Sequence, residues 1–228
     1  MLKHVVHPIH PDGWKFVALF VAVTLMLFFV WQPLGWAGVV ASAWCVYFFR
    51  DPPRVTPVRP GLVVSPADGL VVSVGSSLPP VELEMDMRPM TKIGIFLNVF
   101  DVHINRVPLA GTVERTRYHK GRFVNASFDK ASDVNERMAI RLTTAEGADI
   151  AVVQVAGLVA RRIVCAVAAG QPVETGERFG LIRFGSRTDL YLPDGWSVQV
   201  MVGQKVTGGE TIIADARSTE PRREGDVR

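Results

Sequence analysis

The chain has 228 residues, of which 48% are hydrophobic, and it carries a formal net charge of +3 and two cysteines. This length allows one substantial domain or two small ones. Two isolated thiols exclude a disulfide-stapled scaffold and favour a reducing compartment. The high hydrophobic content makes a membrane-associated segment the first feature to seek.

The first fifty residues contain two apolar runs without a charged residue, at 16–31 and 34–49, separated by Gln32 and Pro33. As a helix each run would be about 24 Å long, slightly short of a full span of about 20 residues. Lysines precede the first run, arginines follow the second, and the connection carries no charge. The positive-inside rule associates this pattern with two cytoplasmic ends. We therefore predict a membrane-associated helical hairpin, spanning or re-entrant.

A cleaved signal peptide is the alternative for this region, because residues 41–43 read Ala-Ser-Ala, like a cleavage box. That box lies well beyond the first apolar run, however, and apolar residues continue after it. Upstream, His4, His7 and His10 are spaced by three residues, but the prolines among them would break a helix. We predict a solvated arm there and no metal site.

The sequence after residue 50 is typical of a β-sheet protein. A proline-rich linker, DPPRVTPVRPG, is followed by short Val-, Ile- and Phe-rich runs separated by turn signals. We predict a mainly β fold, with a barrel-sandwich or β-sandwich-like domain after the apolar helical hairpin. The expected boundaries are 1–50 for the arm and hairpin, 51–214 for the β-rich domain, and 215–228 for a polar, disordered tail.

An internal repeat lies in the second half of the chain. GQPVETGE at 170–177 and GQKVTGGE at 203–210 share the pattern G-Q-x-V-x-x-G-E. The pattern predicts a strand, a turn that needs glycine and a restarting strand. It is similar to the turns of biotinyl and lipoyl carrier domains, but no lysine stands at a hairpin tip as a carrier would require.

The dipeptide Gly185-Ser186 interrupts a strand-like run in LIRFGSRTDLYLP. Most Gly-Ser pairs are turns, but glycine also tolerates the strained backbone that lets the next side chain reach the preceding carbonyl. Attack of the Ser186 hydroxyl on that carbonyl would give an ester. Elimination and hydrolysis would then leave a pyruvoyl group on a new chain end. Such a group forms a Schiff base with an amine and stabilises the carbanion left when CO2 departs.

Six segments, in order along the chain, carry a resemblance to a known family. They are FFRDPPR (48–54), SPADG (65–69), FDVHINRVPLAG (100–111), YHKGRFVNASFDKASDVNER (118–137), FGSRTDLYLP (184–193) and VGQKVTGGETIIA (202–214). Together they cover most of residues 48–214. On these segments the chain resembles the phosphatidylserine decarboxylase proenzyme family in its short form.

The resemblance implies self-cleavage between Gly185 and Ser186, giving a heterodimer of a β chain, 1–185, and an α chain, 186–228. It implies that Ser186 becomes a covalent pyruvoyl cofactor that forms a Schiff base with phosphatidylserine. Release of CO2 would then give phosphatidylethanolamine. We expect the protein at the cytoplasmic face of the cell membrane, held at the bilayer by residues 16–49. A homo-oligomer is left open, and no nucleic-acid partner is expected.

The resemblance also implies which groups activate Ser186. Asp68 in SPADG matches the family aspartate, although alone it would read as a turn aspartate bonded to its own backbone. Long-form relatives have His-x-x-His where this chain has His103 and Arg106, and arginine is a poor base because it stays protonated. The base is therefore His103, or else His119 from the YHKG turn. The same histidine would return a proton to the substrate carbon.

A cation is expected at the phosphate of the substrate. The candidates are Arg183, Arg187 and Lys205, with Arg161 and Arg162 as further options. Each could instead be a solvated surface charge. Phe123 and Phe184 are candidates for the apolar surroundings that favour loss of a carboxylate.

Three other functions fit parts of the sequence. A membrane-anchored barrel-sandwich adaptor without enzymatic activity would use the hairpin and the repeat, and Gly185-Ser186 would then be a plain turn. A pyruvoyl decarboxylase of a soluble amino acid would cleave itself but would have no use for the hairpin. A serine hydrolase using Ser186 is disfavoured because no G-x-S-x-G elbow surrounds that serine.

Overall fold

The structure is a computed structural model that describes residues 7–122, 134–157, 162–183 and 185–221, together with 223 and 225. The chain forms two compact units. The first contains the residues up to Pro53 together with Phe100–Val102, and the second contains Arg54–Val99 and the residues from His103 onward.

The first unit is built on two helices, α1 (Trp14–Val30) and α2 (Gln32–Phe48). The chain reverses at Trp31, which is extended with φ −165° and ψ 127°. The sequence predicted the break at Gln32 and Pro33, but both residues lie in the first turn of α2. Proline is tolerated there because the first N–H groups of a helix have no intrahelical acceptor.

Small and polar residues form the contact between the two helices. A Cβ on Gly38 would lie 2.8 Å from Thr24 Oγ1, so glycine allows the backbones to approach closely. The hydroxyls of Thr24 and Ser42 hydrogen-bond at 2.9 Å. By length and composition alone, one helix of the described residues could cross a membrane: Pro11–Val30, with a mean hydropathy of 2.2.

The second unit is a mainly β structure, as the sequence predicted. Its strands are β1 (Leu62–Val64), β2 (Gly69–Ser77), β3 (Met90–Leu97), β4 (Ile104–Arg106), β5 (Gly111–His119), β6 (Arg137–Thr143), β7 (Asp149–Ala156), β8 (Ile163–Cys165), β9 (Pro172–Val173), β10 (Arg178–Ile182), β11 (Ser186–Leu192), β12 (Ser197–Val198), β13 (Lys205–Val206) and β14 (Ile212–Asp215). All of the described strand pairs are antiparallel.

The described strands form three sheets. A curled eight-stranded sheet has the order β13-β2-β3-β11-β7-β6-β5-β9, and the three-stranded sheets are β1-β14-β12 and β4-β10-β8. The main core contains Ile95 and Leu190 of the large sheet together with Val63 and Phe179 of the small sheets. The opposite face of the large sheet is covered by a second cluster around Leu83. Both faces of its central strands are therefore buried.

The two copies of the repeat occupy opposite edges of the large sheet, because they contain β9 and β13. Their glycines have matching left-handed φ values: 84° at Gly170 and 90° at Gly203, then 81° at Gly176 and 77° at Gly209. The hydrogen bonds to the adjacent strands also match. Gly170 N donates to Val113 O at 2.7 Å, and Gly203 N donates to Val71 O at 2.8 Å. The unit therefore has internal pseudo-twofold symmetry.

The symmetry extends to the turns that precede β2 and β5, SPADG at 65–69 and VPLAG at 107–111. Val64 N donates to Pro108 O at 2.9 Å, and Arg106 N donates to Pro66 O at 2.8 Å. One half of the unit consists of β1–β3 and β11–β14, and the other consists of β4–β10. The chain thus crosses between the halves twice, between β3 and β4 and between β10 and β11.

Candidate active site

Gly185 and Ser186 lie at the second crossing, where β10 gives way to β11. Gly185 has a left-handed φ of +66°. Ser186 opens β11 between Leu97 of β3 and Ala156 of β7. Its side chain is fully buried, and its Oγ has no hydrogen-bond partner among the described residues. Buried hydroxyls are usually hydrogen-bonded, so an uncommitted one adjoining a left-handed glycine is a candidate reactive group.

His103 lies at the first crossing, immediately before β4, and is also fully buried. Gly185 N donates to His103 Nε2 at 3.3 Å, and Ile182 N donates to His103 O at 3.2 Å. Because Nε2 accepts a hydrogen bond in this arrangement, it is the nitrogen without a proton. The structure therefore brings His103 to Gly185, the residue before Ser186, with the unprotonated nitrogen facing the Gly185 N–H.

Asp68 lies just before β2. Its Oδ2 accepts from Arg54 Nη2 at 2.6 Å, and its Oδ1 accepts from Gly208 N at 2.8 Å. By strand register, Leu70 is opposite Phe96, which is opposite Arg187. Asp68 is therefore at the same end of the sheet as Ser186, with one strand between them, at a separation of roughly 10 Å.

The structure does not bring His119 to Ser186. His119 is exposed at the end of β5, opposite Arg137. Arg137 is opposite Val155, which is opposite Arg187, so three strand spacings, roughly 14 Å, separate His119 from the start of β11. Its neighbour is Glu82. Burial acts to raise the pKa of Glu82, but the hydrogen bond from Arg137 and the charges of Arg137 and His119 lower it below its ordinary value.

Arg187, a predicted phosphate ligand, is fully buried. Side chains alternate along a strand, so it faces away from Ser186, towards the reverse side of the sheet. Its Nε donates to Asp189 Oδ1 and its Nη2 donates to Ser73 Oγ at 2.8 Å. Lys92 Nζ lies 3.1 Å from the other oxygen of Asp189. This guanidinium has no open side from which a lipid phosphate could reach it.

The other two predicted cations differ in exposure. Arg183 is 7% exposed at the end of β10, two residues before Gly185. Lys205 is exposed on β13 and pairs with Leu70. Phe123, Phe184 and Arg161 lie outside the described residues.

Three buried polar residues near Ser186 were not predicted from the sequence. Asn105, Gln154 and Thr188 are fully buried, and the Asn105 side chain hydrogen-bonds to both of the others. The available signal was a single polar residue inside an apolar strand, as at Gln154 in AVVQVA. A polar residue at such a position is buried only when a partner elsewhere in the fold satisfies it.

Comparison with known proteins identifies the family. A family model described as phosphatidylserine decarboxylase matches residues 41–214. Three relatives are named phosphatidylserine decarboxylase proenzyme. The one from Cereibacter sphaeroides is 56% identical over all of this chain and 98% of its own length. The one from Paramagnetospirillum magneticum is 54% identical over 100% of this chain and 95% of its own length. The one from Ruegeria pomeroyi is 55% identical over 91% of this chain and 95% of its own length.

These matches identify the chain as a decarboxylase, which is a carboxy-lyase. More particularly, it belongs to the phosphatidylserine decarboxylase family. The resemblance drawn from the six segments is thereby confirmed.

Proposed function

We propose that this protein is a phosphatidylserine decarboxylase that matures by cutting itself between Gly185 and Ser186. Membership of the family favours this function over the adaptor, the soluble amino-acid decarboxylase and the hydrolase. The observation that carries the proposal is the buried, uncommitted Ser186 Oγ next to a left-handed Gly185 whose N–H donates to His103 Nε2 at 3.3 Å.

Self-cleavage requires Ser186 Oγ to attack the carbonyl carbon of Gly185. His103 accepts the hydroxyl proton, the C–N bond breaks, and the proton passes to the released nitrogen of Ser186. The resulting ester then loses the Cα proton, the Cβ–Oγ bond breaks, and Gly185 departs as a carboxylate. Tautomerisation to an imine and hydrolysis by water with loss of ammonia leave a pyruvoyl group at position 186. Its ketone carbonyl is the former Cα, and its amide carbonyl remains bonded to the nitrogen of Arg187.

The residues present fit a pyruvoyl group at position 186, because the position is a buried strand end already flanked by His103. That group supplies an electron sink for loss of CO2 from an amine-bound substrate. His103 remains within reach to return a proton to the product carbon. Asp68 holds Arg54 and the turn at Gly208, and so shapes the same end of the sheet. Arg183 and Lys205 remain candidates for the phosphate, whereas Arg187 is not retained because its guanidinium is fully enclosed and bonded to Asp189 and Ser73.

The two products are expected to stay together as a heterodimer, because β11 of the small chain pairs with β3 and β7 of the large chain. The apolar hairpin would hold the enzyme at the cytoplasmic face of the membrane that contains its substrate.

The test is intact mass spectrometry of the purified full-length protein and of Ser186→Ala. The wild-type protein should give two fragments split at Gly185-Ser186, and the small one should lack a serine N-terminus. Borohydride should trap phosphatidylserine on that fragment. Ser186→Ala should remain one chain, whereas Ser197→Ala, a control at another buried serine, should cleave normally.

A single intact wild-type chain in a folded sample would overturn the proposal and favour the anchored adaptor. Trapping of free amino acids but not of the lipid would favour the soluble-substrate decarboxylase.

A further inference from the structure

A buried chain of side-chain hydrogen bonds connects the three strands around the candidate site. Gln154 Nε2 on β7 donates to Asn105 Oδ1 on β4 at 2.8 Å. Asn105 Nδ2 donates to Thr188 Oγ1 on β11 at 3.1 Å. A longer contact of 3.5 Å joins Asn105 Nδ2 to Pro66 O, in the turn that contains Asp68. All three of these polar side chains are fully buried.

Asn105 crosslinks two different sheets. Gln154 and Thr188 are directly opposite one another on neighbouring strands of the large sheet. Asn105 belongs to the three-stranded sheet β4-β10-β8. The main chain of β4 is already held, because Arg106 N donates to Pro66 O and β4 pairs with β10. β4 can therefore form without the Asn105 side chain. The additional effect of this side chain is to hold β4 in a fixed position over β11.

The proposed reacting residues, His103 and Ser186, lie on the same two segments as Asn105 and Thr188. His103 is two residues before Asn105, and Ser186 is two residues before Thr188. Residues two apart in extended chain face the same side. The Asn105–Thr188 bond therefore ties together the positions immediately beyond His103 and Ser186, where the contact between His103 Nε2 and Gly185 N is a long 3.3 Å.

We propose that Asn105 is a positioning residue for self-cleavage, held by Gln154 and Thr188, which keeps His103 Nε2 against the Gly185-Ser186 bond. This inference rests on the role of His103 in the proposed function. Asn105 touches none of the reacting atoms and acts only through His103. A misplacement of about 1 Å in a reacting geometry can cost about 100-fold in rate, so a small displacement of β4 is sufficient.

The test is a double-mutant cycle on the rate of self-cleavage. Full-length proteins are made in a cell-free pulse, and conversion to the two fragments is followed for days so that slow rates are measurable. The variants are Asn105→Leu, Thr188→Val and Gln154→Met, each close in shape to the original, in the wild-type and His103→Ala backgrounds. Gln199→Met is the control, because Gln199 is another buried glutamine whose Nε2 donates to a hydroxyl, that of Ser197, at 2.7 Å.

Asn105→Leu should slow cleavage by about 10- to 100-fold when His103 is present. Thr188→Val and Gln154→Met should slow it less, because each removes only one of the hydrogen bonds made by the Asn105 side chain. Gln199→Met should leave the rate unchanged. In the His103→Ala background, Asn105→Leu should cause almost no further loss. Circular dichroism checks folding. If Asn105→Leu does not fold, Thr188→Val and Gln154→Met keep the test decisive.

Equal slowing by Asn105→Leu in both backgrounds would overturn the inference, because Asn105 would then act independently of His103. Wild-type rates of self-cleavage in all three variants would overturn the inference too. A strong effect of His103→Ala alone would then leave the proposed function unaffected. Normal cleavage of His103→Ala would instead reject the assignment of the base, and the positioning role would fall with it.

Discussion

At the scale of single residues, Gly185 is held in a backbone conformation that other residues rarely adopt. Its φ is +66°, and a Cβ built on it would meet nothing within 4 Å. Space is therefore not what requires glycine at this position. The requirement is conformational, because an L-residue pays about 1–2 kcal/mol in the left-handed region.

Gly185→Ala should slow self-cleavage by about tenfold, since about 1.4 kcal/mol of strain in the reacting geometry corresponds to a factor of ten. The rate of fragment formation measures it. Gly147→Ala is the matched control: Gly147 has a φ of +80° and equally open surroundings at a hairpin tip. It should carry similar strain and cleave normally. An unchanged rate in Gly185→Ala would show that cleavage does not use the left-handed conformation.

At the scale of secondary structure, β11 has a different task on each face. One face presents Ser186 and Thr188 to the candidate site. The other buries Arg187 and Asp189, and the Asp189 carboxylate contacts both Arg187 and Lys92. The Arg187 guanidinium packs closely against Gly94, where a Cβ would clash with Nη2. The ion pairs of this cluster form in the observed register of β11, which under the proposed cleavage would be the N-terminal strand of the small chain.

The cluster predicts an order of stabilities. Breaking a buried ion pair by removing one partner costs about 3–5 kcal/mol. Asp189→Asn removes the carboxylate from two cations, whereas Arg187→Met leaves Asp189 beside Lys92. Asp189→Asn should therefore lower the free energy of unfolding more than Arg187→Met, as measured by urea denaturation of the full-length protein. The opposite order would mean that Lys92 contributes little to holding Asp189.

At the scale of the whole molecule, the second unit is assembled from two pseudo-symmetric halves. The chain leaves the first half after β3 and returns to it at β11, and the two crossings contain His103 and Gly185-Ser186 respectively. Neither crossing alone contains the candidate site. The packing of the two halves brings the crossings together, and His103 Nε2 contacts Gly185 N at 3.3 Å.

This assembly predicts what happens after the peptide bond is cut. β11 is a central strand with a partner on each side, and β12–β14 pair within the same unit. The small chain should therefore co-elute with the large chain in size-exclusion chromatography under native conditions and separate only in denaturant. Loss of the small chain from a folded sample would contradict the pairing of β11 with β3 and β7.

Local signals in the sequence were sufficient to predict the family, the mainly β class and the interruption of a strand-like run at Gly185-Ser186. These follow from local signals: apolar runs, turn residues and motifs whose members are close together along the chain. The predicted break between the two helices, at Gln32 and Pro33, differs from the observed one at Trp31, because proline fits a first helical turn as well as a loop.

The choice between the two candidate histidines, and the burial of Arg187, follow from the tertiary structure. His103 and Gly185 are 82 residues apart, and strand register rather than local sequence joins them. A shift of one residue in the register of β11 would exchange the faces of Ser186 and Arg187. The face that each residue occupies depends on packing against both faces of the sheet. The local sequence determines only part of that packing.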